Sequence, residues 1–186
     1  MHKNTRKTTI LALDLRLQRF GFGVLEGQPQ LLDWGIKTYR ATDTHSRALV
    51  VRKRVVPLLT LFRPSVIVAN HVSGLHVSRG PGHYHIVRAI EHEAREQSAE
   101  LILLGRKEIQ RVFGKGGQST KDEIAAQVAL LFPELTWKLP SVRKTWESEH
   151  HNMTLFDAIA LGITYLARFG DVFLANNPQP EVRTPG

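Results

Sequence analysis

Residues 10–26 read ILALDLRLQRFGFGVLE, two apolar runs separated by a short polar turn. A single carboxylate, Asp14, interrupts the first run, and the second begins at Phe20. Two such runs joined by a short polar turn predict a β-hairpin. An ionised carboxylate on a buried strand is costly unless a cation or a hydrogen-bond donor compensates it. Asp14 therefore needs a partner, which is a metal ion, backbone N–H groups or an arginine such as Arg16.

The composition predicts one globular domain with a basic surface. The chain has 186 residues, of which 42% are hydrophobic, enough for a single sizeable core. Its 25 Lys and Arg outnumber its 17 Asp and Glu, so the net charge is +8. This balance favours a polyanionic partner such as nucleic acid. The absence of cysteine excludes a disulfide framework, a thiolate metal site and a cysteine nucleophile.

The ends of the chain carry no membrane signal. The basic residues 1–9 lead into strand-like alternation instead of an unbroken apolar segment, and no run approaches the roughly 20 residues of a membrane helix. We expect a cytoplasmic protein with no membrane partner. Residues 1–173 should form one domain, and the polar, proline-containing residues 174–186 should form a disordered tail.

Beyond the hairpin, the pattern of apolar residues alternates between strands and helices. A third strand at 30–39 would extend the hairpin into an antiparallel meander. Two strands follow, at 65–69 and 101–104. The predicted helices lie at 44–62, 84–99 and 106–113, after the capping box Thr120–Glu123, and at 155–169. This order predicts an α/β fold with a mixed five-stranded sheet flanked by helices.

Three local features are expected to shape the helices. Pro57 should kink or shorten the first helix, because proline lacks an N–H group. Gly80-Pro81-Gly82 should interrupt regular structure ahead of the next helix. Thr154 and Asp157 fit a variant capping box, which would place Asp157 in the first turn of the last helix.

Several stretches resemble the RuvC-type Holliday junction resolvases of the RNase H-like superfamily in order and spacing. They are the Asp14 hairpin, Phe62-Arg63-Pro64 before the strand that leads to Val72, the helix entry at 117–121, and Asp157-Ala158-Ile159-Ala160-Leu161. Trp146-Glu147-Ser148-Glu149 ahead of Phe156 resembles a less studied bacterial branch more closely. The resemblance covers about residues 10–169 and implies an RNase H-like fold.

The resemblance also implies an activity and a cofactor. These resolvases cut branched DNA with two divalent ions about 4 Å apart, which activate a water and stabilise the departing oxygen. Mg²⁺, or Mn²⁺ in its place, requires oxygen ligands. By position, Asp14 is the ligand from the first strand and Asp157 the ligand from the last helix. The implied catalytic positions are Asp14, Asn70, Asp157 and His150.

This chain departs from the family pattern at three positions. Asn70 stands at the strand end where an acid is expected, His150 replaces an acid of the closer branch, and Thr154 replaces another acid or a histidine. Either Glu149, His150 or His71 completes an altered metal site, or Asn70 coordinates through its amide oxygen in a slow nuclease. Alternatively, the chemistry is lost and the fold persists as a nucleic-acid-binding or assembly module. The candidate metal ligands are Asp14, Asp157, Asn70, His71, Glu149 and His150.

Basic residues near these positions are candidates for holding DNA phosphates, which positions a substrate without reading its sequence. They are Arg79, Lys115, Lys121, Arg143 and Lys144. The basic face of the first helix is more typical of a solvated helix surface. The resemblance further implies a homodimer, because a four-way junction presents two symmetric strands. The helix with Ile86, Val87 and Ile90 is either the interface or an ordinary core helix.

A second class of protein also opens with a strand aspartate and a glycine-containing hairpin. These are the actin and Hsp70-type ATPases, which need a second, repeated subdomain with further phosphate loops. The 186 residues of this chain are too few to contain both subdomains.

Overall fold

In a computed structural model of the chain, the described residues are 8–27, 29–71, 80–114, 119–142, 146 and 148–169. The strands are β1 Thr9–Leu15, β2 Arg19–Glu26, β3 Gln30–Thr38, β4 Val66–Asn70 and β5 Glu100–Leu104. The α-helices are α1 Thr44–Phe62, α2 Gly80–Glu96, α3 Arg106–Phe113, α4 Lys121–Leu131 and α5 Met153–Phe169, and a 3₁₀ helix, which we did not predict, spans Pro133–Lys138. The predicted α/β fold with a five-stranded mixed sheet is confirmed.

The sheet is arranged around β1. Its order is β3-β2-β1-β4-β5, with β1–β2 and β2–β3 antiparallel and β1–β4 and β4–β5 parallel. The hairpin register places Asp14 opposite Gly21. Because β1 and β4 run parallel, with Leu13 opposite Ala69, the ends of both strands meet at one edge of the sheet. Asp14 and Asn70 therefore lie at that edge.

Each face of the sheet is covered by helices. Ile10 and Ala12 of β1 belong to a core cluster that contains α3, α4 and α5 side chains. Leu11 and Leu13 point to the opposite face, where they cluster with side chains of α1 and α2. Since successive strand residues face opposite sides, β1 is buried on both faces. The last helix is buried over most of its surface, at 13 of its 17 residues.

The structure corrects part of the expectation for Pro57 and the whole expectation for Gly80-Pro81-Gly82. Pro57 does not shorten α1, which continues to Phe62, because burial of Val51, Val55 and Leu59 outweighs one lost backbone hydrogen bond. A kink at Pro57 stays a prediction. Helix α2 begins at Gly80 and includes Gly80-Pro81-Gly82, which we predicted to be irregular. Proline is tolerated in a first helical turn, where its missing N–H would have no helical partner.

Helix α2 is a core helix. Ile86 and Ile90 are fully buried within the cluster between the sheet and α1, and Val87 packs against it. Of the two interpretations of this apolar stripe, the core interpretation is therefore confirmed for these residues. Within the described ranges, no helix is sufficiently long and apolar to cross a membrane.

Candidate active site

The first turn of α5 packs directly against β2, beside Asp14. A Cβ atom added to Gly21 would lie 2.0 Å from the carbonyl oxygen of Thr154, so only glycine permits this approach. Gly21 is also the residue paired with Asp14 in the hairpin. The close contact therefore brings Asp157, three residues after Thr154, to the end of β1.

Helix α5 begins earlier than the sequence predicts. Its first residue is Met153, whose N–H donates to the carbonyl oxygen of His150 at 3.0 Å. Thr154 is fully buried, and its hydroxyl oxygen accepts a hydrogen bond from Arg19 Nε at 3.0 Å. The predicted capping box is therefore wrong, and Asp157 lies beyond the first turn. Because the backbone turn at His150 begins the helix at Met153, Thr154 lies inside the helix and is not its N-cap.

One guanidinium connects three carboxylates at the edge of the sheet. Arg16 Nε donates to Asp14 Oδ2 at 2.6 Å, and Arg16 Nη2 donates to Asp157 Oδ2 at 2.7 Å. Arg16 Nη1 donates to Glu149 Oε1. The Arg16 side chain is only 15% exposed. The hydroxyl of Tyr39 donates to the carbonyl oxygen of Arg16, which further fixes its backbone.

Lys121 supplies a second cation to the same group. Its Nζ donates to Glu149 Oε2 at 2.8 Å and to Asp157 Oδ2 at 2.7 Å. Lys121 is the first residue of α4, which follows the predicted capping box: Thr120 accepts from the N–H of Glu123, and Glu123 accepts from the N–H of Thr120. We call Asp14, Glu149, Asp157, Arg16 and Lys121 the acidic cluster. With all five ionised, its net charge is −1.

The cluster shifts the pKa values of its members. Burial, followed by repulsion from Asp157, raises the pKa of Asp14 to about 6 despite the neighbouring Arg16. Burial also opposes ionisation of Glu149, but the hydrogen bond and charge of Lys121, with the charge of Arg16, outweigh it and lower the pKa. For Arg16, the attraction of Asp14 outweighs burial and raises the pKa. Arg16 is therefore a permanent cation between the carboxylates.

Asn70 is engaged with the backbone of β1. Its Oδ1 accepts a hydrogen bond from the N–H of Leu15 at 2.8 Å, and its Nδ2 donates to the carbonyl oxygen of Leu15 at 3.2 Å. The amide thus continues the ladder between β1 and β4 by one residue. The oxygen that would coordinate a metal already has a donor, so Asn70 has a structural role in this arrangement.

The two candidate histidines lie outside the ion-pair network. His71 is exposed, and its N–H donates to the carbonyl oxygen of Leu104 at 2.7 Å, on the β5 side of β4. The exposed His150 accepts a hydrogen bond from the N–H of Asn152 on its Nδ1 at 3.1 Å. His150 lines a cavity of about 260 Å³ together with Lys121 and Glu149. It is therefore next to the acidic cluster without being bonded to its carboxylates.

Four predicted phosphate contacts lie outside the described residues: Arg79, Lys115, Arg143 and Lys144. The fifth, Lys121, is committed to the acidic cluster.

The carboxylates have only part of what a site for the two divalent ions implied by the resemblance requires. Asp14, Glu149 and Asp157 offer the hard oxygen atoms that Mg²⁺ requires. These oxygens instead accept bonds from Arg16 and Lys121, and Asn70 is turned to the backbone. In the part of the chain that the structure describes, no three His, Asp or Glu residues form a group that could hold a metal ion. As folded here, the residues do not fit a two-metal centre.

Sequence reasoning identified the carboxylates but not the full role of Arg16. The need of Asp14 for a cation was evident, and pairing with Arg16 was one of the alternatives considered. Its contacts with Glu149 and Asp157 span separations of 133 and 141 residues, which no local pattern reports. The available signal was an arginine two residues after a buried strand aspartate.

Solved Holliday junction resolvases share this fold. The Thermus thermophilus RuvC structure superposes with a TM-score of 0.67 at 18% identity, covering 91% of this chain and 96% of that one. The same protein in complex with its Holliday junction substrate gives 0.70 at 16% identity, covering 89% and 97%. The yeast mitochondrial Holliday junction resolvase Ydc2 gives 0.61 at 10% identity, covering 91% and 85%. No protein-family model matches the sequence, and no curated protein matches it significantly.

The chain thus has a RuvC-like resolvase fold, as the sequence of residues 10–26 indicated. At identities of 10–18%, the likeness establishes the fold alone.

Proposed function

We propose that this protein recognises branched DNA, such as a four-way junction, without cutting it. The observation that carries the proposal is Arg16, which donates to all three carboxylates where a resolvase would need metal ions. The net charge of +8 supports a nucleic-acid partner. The solved resolvases with this fold include two in complex with Holliday junction DNA, from T. thermophilus and fowlpox virus. The proposal includes a homodimer, whose two-fold symmetry would match that of the junction.

A second candidate is a metal-dependent endonuclease of RuvC type. It is favoured by the convergence of Asp14, Glu149 and Asp157 at one edge of the sheet. Cleavage with Mg²⁺ or Mn²⁺ would require the ions to displace Arg16 and Lys121 from these oxygens. The two candidates therefore differ in whether metal ions compete successfully with the internal cations.

The test compares a labelled four-way junction with a linear duplex of equal length, in Mg²⁺, in Mn²⁺ and in EDTA. We expect the junction to bind more tightly in all three conditions and to remain uncut. Metal-dependent cleavage that is abolished by Asp14→Asn would overturn the first candidate and establish the second. Equal affinity for junction and duplex, without cleavage, would contradict both.

A further inference from the structure

A basic cleft adjoins the acidic cluster. It has a volume of about 590 Å³ and lies between the β1–β2 turn, the end of β3, helix α1 and the turn before α5. Its charged or titratable lining residues are Arg19, Tyr39, Arg40, Arg54 and His151, and none of the residues that line it is acidic. A concave surface with one sign of charge concentrates the field for a counter-ion.

Among the described residues, no carboxylate forms an ion pair with an arginine that lines this basic cleft. In the part of the chain that the structure describes, the arginines that form ion pairs are Arg16, Arg52, Arg88 and Arg95, and none of them lines the cleft. Arg40 and Arg54 are exposed. A cleft with several uncompensated guanidinium groups suits an oxyanion, because the planar fork of arginine binds phosphate through paired hydrogen bonds.

Two further observations report the same excess of positive charge. Burial, with the positive charges of Arg19, His150 and Lys138, lowers the pKa of His151. Arg47 lies close enough to Tyr39 to act on it electrostatically, and its buried Nε has no hydrogen-bond partner among the described residues. Positive charge therefore surrounds His151 at the cleft, and Arg47 adds a further cation beside it.

The basic cleft is physically continuous with the acidic cluster. Tyr39 lines the cleft and donates its hydroxyl to the carbonyl oxygen of Arg16. Arg19 lines the cleft and donates to Thr154, in the first turn of α5. A strand of DNA passing along the edge of the sheet would therefore meet both.

We propose that the basic cleft binds backbone phosphates of the DNA, with Arg40 and Arg54 as the principal contacts. This inference rests on the proposed function and adds to it the surface that holds one DNA strand. The contacts position the nucleic acid and carry no sequence preference. Each phosphate neutralised by arginine releases condensed counter-ions, so the cleft should contribute to the salt dependence of binding.

The test uses the full chain in EDTA and two double variants that remove equal charge. Arg40→Gln with Arg54→Gln alters the cleft, whereas Arg88→Gln with Arg95→Gln alters two exposed arginines of α2 that pair with Glu91. Affinity for the junction and for a linear duplex is measured by fluorescence anisotropy over a range of salt. We expect the slope of log affinity against log salt to decrease in magnitude by roughly 2 in the cleft variant, and to change little in the control.

Equal slopes in the two variants, with junction preference retained, would overturn the cleft inference and leave the proposed function standing. If the wild type bound junction and duplex equally well, the proposed function would be overturned. The cleft inference would still be supported if only the cleft variant reduced the salt slope for duplex binding. A titration with inorganic phosphate distinguishes a small anion from DNA. Saturable phosphate binding that depends on Arg40 and Arg54, with unchanged DNA slopes, would overturn the inference.

Discussion

At the scale of single residues, the main feature of the molecule is the cation that compensates the buried charge of Asp14. The sequence predicted that this buried carboxylate needs a partner, and pairing with Arg16 was one of the alternatives it left open. It also placed Asp157 correctly on the last helix. What it did not predict is that one guanidinium serves Asp14, Glu149 and Asp157 together, because that depends on long-range packing. The metal ligands implied by the resemblance stay a prediction.

Asn70 offers a test of its structural role. Asn70→Ala leaves the N–H and carbonyl groups of Leu15 without their side-chain partner, so the free energy of unfolding should fall by about 1–3 kcal/mol. Asn70→Asp keeps the acceptor and loses the donor, and it adds a charge near Asp14. Urea denaturation monitored by circular dichroism measures the free energy of unfolding of both variants. An unchanged stability in Asn70→Ala would show that the two bonds contribute nothing.

At the scale of elements, strands were predicted more accurately than helix starts. The apolar runs of β1 to β5 are bounded by turns and charges that the sequence displays, and the observed strands agree within one residue. Helices α2 and α5 start earlier than predicted, since Gly80-Pro81-Gly82 forms a first turn and a backbone turn at His150 precedes α5. The helix propensity of single residues does not show where a neighbouring turn will form the first backbone hydrogen bonds of a helix.

The approach of α5 to β2 depends on Gly21. Gly21→Ala would place a Cβ atom 2.0 Å from a backbone oxygen, so α5 has to shift. The free energy of unfolding should therefore fall by about 1–3 kcal/mol or more. Gly35→Ala is the control, because its Cβ atom would meet the ring of Phe22 at 2.9 Å, and a side chain can rotate away. Thermal unfolding measures the stability of both variants. A larger loss of stability in Gly35→Ala than in Gly21→Ala would contradict the assigned contact between Gly21 and Thr154.

The N-terminus of α1 provides a pH-dependent test. Hydrogen bonds from the side chain and N–H of Ser46 lower the pKa of Asp43 to about 2. A lowered pKa means that the cap stabilises the fold above the unfolded value near 4 and loses this effect as the pH falls toward about 2. Asp43→Ala should therefore be less stable than the wild type at pH 7, with a difference that shrinks in acid.

Asp43→Asn is the control for this cap, since asparagine caps helices without titrating. Urea unfolding is measured for the three proteins from about pH 2 to pH 7. A difference between wild type and Asp43→Ala that is constant across this range would contradict the role of the ionised carboxylate.

At the scale of the whole molecule, the order of elements was predictable because each apolar run has the length and period of its structure. The surface charge was also evident from composition. The arrangement of charge was not, since the sequence does not reveal that an acidic cluster and a basic cleft lie side by side. The side chains that form these two regions come from distant parts of the chain and meet only after folding.

The extent of the domain is a prediction that truncation can test. All core residues of the two described clusters precede Phe169. A chain ending at Phe173 should therefore unfold in one cooperative transition at the temperature of the full chain, as scanning calorimetry would measure. A substantially lower transition temperature would mean that residues after Phe173 contribute to the fold.

Arg16 takes the place of metal ions between the carboxylates in the proposed function, and calorimetric titration with Mn²⁺ tests this role most directly. We expect no saturable binding by the wild type at millimolar Mn²⁺, binding by Arg16→Ala, and loss of that binding in Arg16→Ala combined with Asp14→Asn. Saturable Mn²⁺ binding by the wild type that Asp14→Asn abolishes would contradict this role and make the protein a candidate metal-dependent nuclease.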